Sequence, residues 1–458
     1  MNPLFTPNIY QERRNKLSAA FPHGVALFLS NGESPVNYPA NTYRYRQDSN
    51  FLYFFGLAIP NVVGVIDFEQ NKSILFGDDF TIDDIIWMGD QPKMSDLATQ
   101  IAAEEVRPLA ELSSFLKGKS VHFTPPYRAE NKIELARLLG KTLEELTPSV
   151  ELIKKIVSLR EIKSLEEIVQ MVEANEIGAF MHKMVMKFCK PGATERQLFG
   201  IAESIALTMG DGTSFPIILS QNGQTLHNHD HSLTLEEGRL LVMDSGAENV
   251  MNYCSDHTRT LPVSGKFSTR QKEIYEMVYQ ANMAAIANCK PGIQNMENYK
   301  LAVTILTEGL QKIGLMKGNL EESVALGTHA LFMPHGLGHQ IGLDVHDMED
   351  FGENYVGYDD TIQRSSIPGY RSLRMAKTLR PGHVITVEPG IYFIPHLIDI
   401  WKKEKKFEAF INYDKLENYK GFGGIRIEDS VLITEEGSRV LGTHLPKSVE
   451  EIETILQS

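Results

Sequence analysis

Through the first third of the chain, short apolar runs alternate with amphipathic stretches. Val25-Ala26-Leu27-Phe28-Leu29, Val62-Val63-Gly64-Val65-Ile66 and Ser73-Ile74-Leu75-Phe76 have the length and composition of strands, whereas Met94 to Glu105 and Lys132 to Leu139 look helical. Runs and helices in turn predict an α/β domain over residues 24 to about 150. Tyr45-Arg46-Gln47-Asp48-Ser49-Asn50-Phe51 mixes charge with aromatics and reads most simply as an edge strand with one wet face.

From Ser164 the texture changes to long helices with marked starts. Ser164-x-x-Glu167, Thr194-x-x-Gln197 and Ser268-x-x-Gln271 are capping-box patterns, in which a hydroxyl and the side chain three residues on each satisfy a backbone N–H that the helix leaves open. The first and third of these helices run into the same tetrapeptide, Cys-Lys-Pro-Gly, at 189–192 and 289–292, where Pro and Gly stop a helix. Helix, break, second helix and then strands, occurring twice, point to two halves of similar design around a shared sheet. The helical, charge-rich stretch Glu151 to Lys163 separates the two textures, so a boundary is expected near 160, with domains at 1–160 and 161–458.

Composition narrows the class of protein. At about 150 residues per domain, 458 residues exclude a single small module and are enough to bury a large core without staples. Lys and Arg number 45 against 59 Asp and Glu, a net charge of −14, with no basic run dense enough to follow a phosphate backbone, so no nucleic-acid partner is expected. Three cysteines without a C-x-x-C pair fit a reducing cytoplasm rather than a disulfide framework. Pro3, Pro7 and Asn8 interrupt the start of the chain before a signal-type apolar stretch forms, and no later apolar run nears the roughly 18 residues of a membrane span. A soluble cytoplasmic protein without a membrane partner is the expectation.

Several chemistries are absent by motif: there is no H-E-x-x-H, no G-x-S-x-G, and the Gly-Lys-Ser and Gly-Lys-Thr at 118–120 and 140–142 lack the leading glycine of a P-loop. Gly336 to Gly342 is one residue off a dinucleotide fingerprint and follows no clear strand. What remains is a set of acids at strand ends. Leu240 to Met243 runs into Asp244, Val384 to Val387 into Glu388, and Gly424 to Asp429 alternates strictly, with Arg426 and Glu428 on one face. Asp256 follows Asp244 by twelve residues, a spacing that a hairpin closes. His335, His339 and His346 fall within twelve residues of one another, in a glycine-rich segment that reads as loop. One strand-tip carboxylate is usually solvated; the set is what draws notice. If Asp244, Asp256, Glu388 and Glu428 converge beside His339, four carboxylates repel and take up protons unless neutralised, and two divalent cations match their charge. Oxygen-rich ligands with one imidazole suit Mn²⁺, with Co²⁺ or Zn²⁺ next, and such a pair supports hydrolysis.

At these residues the sequence resembles a known family. MDSGAENVMNYCSDHTRT, FMPHGLGHQIGLDVHD, TVEPGIYF and GIRIED are similar, in order, to the signature blocks of the Xaa-Pro metallopeptidases with the pita-bread fold, the M24B family of aminopeptidase P and prolidase. The likeness spans residues 165–458, and YRYRQDSNFLYFFG with the Trp87-Met88-Gly89 turn is more weakly similar to the family's creatinase-like N-terminal domain. The resemblance implies an α+β chain: a C-terminal pita-bread (creatinase/aminopeptidase) catalytic domain with pseudo-two-fold halves, preceded by an α/β N-terminal domain. It implies two divalent ions, Mn²⁺ first, with Asp244 and Asp256 as ligands, His339 and Glu388 on one ion each, and Glu428 between them. A hydroxide held between the ions would attack the scissile carbonyl while Glu388 shuttles its proton. The resemblance further assigns His227 and His346 to the substrate and the tetrahedral intermediate, His335 and Tyr392 to support of the pocket, and Arg426 to orienting a ligand carboxylate. The twelve-residue gap from Asp244 to Asp256 is one longer than the family pattern, which a longer hairpin tip would absorb.

The implied substrates are small proline-containing peptides, and the implied assembly is a homo-oligomer, dimer or tetramer. Pro368-Gly369-Tyr370-Arg371-Ser372-Leu373-Arg374 resembles a prolidase feature in which the arginine matching Arg374 pairs with the carboxylate of a dipeptide. The expected activity is therefore an Xaa-Pro aminopeptidase with prolidase-like features, with a strict Xaa-Pro dipeptidase as the alternative. A non-catalytic pita-bread binding protein is the remote one, set against the presence of all five ligand positions.

Overall fold

The computed structural model describes residues 4–458, and its chain divides into two units, Met1–Arg160 and Glu161–Ser458. In the first unit a five-stranded sheet runs in the order Glu105–Arg107, Lys72–Phe76, Val63–Asp67, Val25–Leu29, Val121–His122, antiparallel in the middle and parallel at both edges. Val25, Leu27, Val65, Ile74 and Phe76 from the strands pack with Leu112, Leu116, Leu135 and Leu138 from helices, so the strand-length runs bury themselves as their composition predicts.

Two local expectations in this unit are corrected. Ser49–Phe55 is a helix with every residue buried, not an edge strand, because Asp48 caps it by accepting from the amides of Asn50 and Phe51, both at 2.9 Å. Phe55 then packs so closely on the sheet that a Cβ at Gly64 would lie 2.2 Å from its ring. The expected helix from Met94 to Glu105 ends at Gln100. Ala102 takes φ +51°, and the chain turns into strand Glu105–Arg107. Trp87-Met88-Gly89 closes the exposed helix Ile82–Met88.

In the second unit all three capping boxes form. Ser164, Thr194 and Ser268 accept from the amides of Glu167, Gln197 and Gln271, whose side chains bond back to the cap amides. Helices Leu165–Phe188 and Thr269–Asn288 stop before the two Cys-Lys-Pro-Gly segments, and Gly192 and Gly292 turn the chain at φ +86° and +85°. Their amides donate to Leu235 and Leu379, each at 2.9 Å, and the second helices follow at Glu195–Met209 and Asn295–Lys312. The two halves therefore repeat the same turn in detail. Strands His257–Pro262, Leu240–Ser245 and Ile218–Ser220 form one sheet, and Val384–Val387, Asp429–Ile433 and Ser438–Val440 another, with Gly390–Tyr392 paired to Gly424–Arg426. One core joins strand residues such as Leu241, Ile385 and Ile425 to helix residues such as Val185, Val278 and Leu306. No helix among the described residues is long and apolar enough to cross a membrane.

Candidate metal centre

Strand register decides which acids meet. In the first hairpin Thr258 pairs with Asp244 and His257 with Ser245, and the same register continues to the bridge between Glu248 and Cys254. The turn is thereby confined to residues 249–253, where Asn252 takes φ +63°. Asp256 falls opposite Gly246, two rungs from Asp244, so period two puts both carboxylates on one face. The long interval between them is absorbed at the tip, with no slip of register. Glycine at 246 is required by the closeness of the strands: a Cβ there would sit 1.7 Å from the Ser255 carbonyl oxygen.

The second pair arises in the same way. Val387 pairs with Asp429 and Gly390 with Arg426, so Glu388 lies directly across from Glu428 at the break between two paired strand segments. Like charges directly opposed in a ladder repel. The segment carrying Glu428 is pinned from behind by the fully buried Arg259, which donates to the Glu428 carbonyl and to the Asp429 carboxylate, both at 2.6 Å.

His339 reaches this place from a loop laid along strand Val384–Val387. Thr386 N donates to His339 O at 2.9 Å and Glu388 N to Leu337 O at 2.8 Å, an approach that only glycine permits at 338, where a Cβ would stand 2.0 Å from Thr386 O. The ring Nδ1 lies 3.0 Å from the Gln340 carbonyl, which fixes a proton there and leaves Nε2 as a lone pair, 3.4 Å from Asp256 Oδ2 and 3.9 Å from Glu388 Oε1.

Asp256, His339 and Glu428 each offer an atom within 4.8 Å of the others, all three residues being buried. Burial, then the charges of neighbouring acids, pushes the carboxyls of Asp256 and Glu428 well above the ordinary range, and burial raises that of Glu388. Among the described residues Asp244 Oδ1 and Asp256 Oδ1 are buried without a hydrogen-bond partner. Buried acceptors left open, acids that repel one another and an imidazole held in the ligating tautomer together fit divalent cations. Arg426 supplies one compensating charge, donating to Asp244 Oδ2 at 2.5 Å, Tyr392 Oη at 2.7 Å and Thr258 Oγ1 at 3.2 Å.

The acids and His339 line a cavity of about 480 Å³ together with His227, His335, His346, Arg374 and Arg426. His335 Nε2 lies 2.9 Å from the Tyr392 hydroxyl, and burial lowers its ring pKa to about 3. Tyr392 stands behind the cavity, fully buried between His335 and Arg426, rather than on its wall. His346 stacks on His339 with ring centroids 3.9 Å apart, and His227 joins from an exposed turn. Sequence reasoning missed two participants. Thr258 donates to Glu428 Oε2 at 2.7 Å, and Glu349 bonds to both His346 and Arg374. Only the spacing of Glu349, three residues after His346, could have hinted at its role.

The model of metallopeptidase family M24 matches residues 169–435, and that of the aminopeptidase P N-terminal domain matches residues 10–122. The human Xaa-Pro dipeptidase is 33% identical over 97% of this chain and 91% of its own length. A probable Xaa-Pro aminopeptidase of Fusarium vanettenii is 33% identical over 90% of this chain and 88% of its own. Among solved structures, Escherichia coli aminopeptidase P with the inhibitor Pro-Leu superposes with a TM-score of 0.80 at 29% identity, covering 99% of each chain. Proline aminopeptidase P II from Yersinia pestis does so at 0.81 and 28%, covering 99% of this chain and 100% of its own.

Proposed function

The chain belongs to metallopeptidase family M24 as an Xaa-Pro peptidase, and from that premise we propose that it removes the residue preceding proline from the N-terminus of short peptides, as an aminopeptidase, with Mn²⁺ at Asp244, Asp256, His339, Glu388 and Glu428. The observation that carries this reading is the pair of unpartnered buried oxygens on Asp244 and Asp256, beside Glu388 and His339, at the wall of a cavity large enough for a short peptide. When bound, the divalent ions supply Lewis acidity, polarising a carbonyl and acidifying water.

The chain's own residues do the rest. Glu388 is the most exposed of the four acids, with a side chain 20% accessible. It takes the proton of the attacking water and hands it to the leaving nitrogen, which in an Xaa-Pro bond carries no hydrogen and must receive one. His227 and His346 hydrogen-bond the oxygen of the carbonyl as it becomes tetrahedral. His335, tied to Tyr392, keeps its position without charge, and Arg426 holds Asp244 in place. The three cysteines are free and buried, which supports a cytoplasmic setting.

A strict dipeptidase is the second reading, favoured by Arg374 on the cavity wall, a guanidinium suited to the carboxylate of a dipeptide. The test is direct: Mn²⁺-loaded protein is expected to cleave Ala-Pro-Ala and Gly-Pro at the bond before proline and to spare peptides without proline in second place. Glu388→Ala is expected to lose about a thousandfold in kcat. Full activity in that variant would remove Glu388 from its assigned role.

A further inference from the structure

Arg374 is not a bare cation. Its Nη1 donates to Glu349 and, at 3.2 Å, to Glu353 Oε1, and Glu353 is also paired with Arg364. The same Oε2 of Glu349 that takes Arg374 lies 2.9 Å from His346 Nδ1. Glu349 is only 14% exposed and is set by a tight reversal, since Met348 before it takes φ +64° and begins the turn Glu349–Phe351. Two arginines and two glutamates form a network of zero net charge, of which Arg374 lines the cavity. An incoming carboxylate thus meets a cation whose charge is already shared with two carboxylates at Nη1, while Arg374 Nη2 and Nε make no hydrogen bond among the described residues.

We propose that Glu349 determines substrate length, by competing for Arg374 with the C-terminal carboxylate of a dipeptide so that the site favours peptides extended beyond proline. The proposal rests on the Xaa-Pro reading above and deepens it. In a dipeptide the carboxylate sits on the proline itself and, at whichever N–H of Arg374 it takes, lies beside the negative charge of Glu349 and weakens the Glu349 bond. In a tripeptide that position is a neutral amide, and the charge lies about 3.5 Å further along the chain. The Glu349–Arg374 interaction with which a dipeptide carboxylate competes is a charge-assisted one, the stronger class of hydrogen bond. Glu349 is a specificity residue acting through Arg374, and its bond to Nδ1 also fixes the position of the His346 ring.

The test uses full-length Mn²⁺-loaded protein with Ala-Pro and Ala-Pro-Ala as probes. Glu349→Gln keeps the shape and an acceptor for His346 Nδ1 but removes the charge, so changes common to both peptides cancel in the ratio of their KM values. That ratio, dipeptide over tripeptide, is expected to fall about tenfold in Glu349→Gln, the scale of one charge-assisted bond, with the kcat ratio nearly constant. In an Arg374→Ala background the same change should leave the KM ratio unmoved. An unaltered ratio in Glu349→Gln, or an equal fall without Arg374, overturns the proposal while leaving the peptidase reading intact. Wild-type protein that cleaves neither peptide overturns both.

Discussion

Glu388 and Glu428 face each other across one antiparallel rung, and Asp244 and Asp256 share a face two rungs apart. Four buried acids so placed lower the stability of the metal-free protein, a cost accepted for the site's chemistry. Glu428→Gln, which retains the bond from Thr258, is expected to stabilise the protein in chelator by about 1–2 kcal/mol while abolishing full metal loading. Denaturant titration with and without chelator, alongside metal analysis, reads both effects, and a destabilised metal-free variant would contradict the argument. Two histidines away from the centre give a pH dependence of defined sign. Burial lowers the pKa of His329 to about 3, and burial followed by the charges of Lys377 and Arg380 lowers that of His383 to about 2. Both rings stay neutral in the fold, whereas in the unfolded chain they take protons as pH falls through about 6.5. Their contribution is therefore complete above that pH and lost below it, by about 2 kcal/mol per ring at pH 5. His329→Gln and His383→Gln should each flatten the decline in stability between pH 8 and 5, measured in chelator; an unchanged slope in both would refute it.

At the scale of elements, two kinds of local information behave differently. The capping boxes were legible because hydroxyl, spacing and partner all lie within four residues, and Ser268→Ala should cost about 1 kcal/mol by thermal denaturation. The Tyr45 to Phe51 segment has aromatics that pattern like a half-buried strand, while the bonds that decide for a helix come from a single Asp48 side chain to two amides. The loop carrying His339 is a third case: glycine at 338 was visible, but the Thr386 oxygen that requires it comes from 48 residues away in the chain. Gly338→Ala is expected to destabilise the protein by about 3 kcal/mol and to weaken metal binding, because the chain cannot keep both the Thr386-to-His339 bond and the added methyl. Calorimetric metal titration of that variant with wild-type affinity would show that the close approach does not position His339.

For the whole molecule, the proposed metal site belongs to one unit. All five proposed ligands lie within Glu161–Ser458, whose core is separate from that of Met1–Arg160. Calorimetry is expected to resolve two unfolding transitions, of which only the one assigned to the second unit responds to Mn²⁺. Free metal at a hundred times its dissociation constant adds about 2.7 kcal/mol, or roughly 4 °C in Tm for a unit of this size. A shift of both transitions by equal amounts would contradict this assignment. Chelator should reverse the shift, since the five proposed ligands come together only in the fold and not in any local segment.

The amino-acid sequence by itself determined whatever short-range physics controls: strand-length runs, reciprocal helix caps, the twice-used Cys-Lys-Pro-Gly stop, and the alternation that puts Arg426 and Glu428 on one face. Its resemblance to a family implies the five ligand positions. Only the tertiary structure decided that Glu388 stands opposite Glu428, that the hairpin absorbs its extra residue at the tip, and that Glu349 holds Arg374 and His346 together. These are matters of register and of contact between distant segments. A one-residue slip would turn an acid away without altering a single local preference, so the pairing becomes definite only when both strands and the loops beside them are packed.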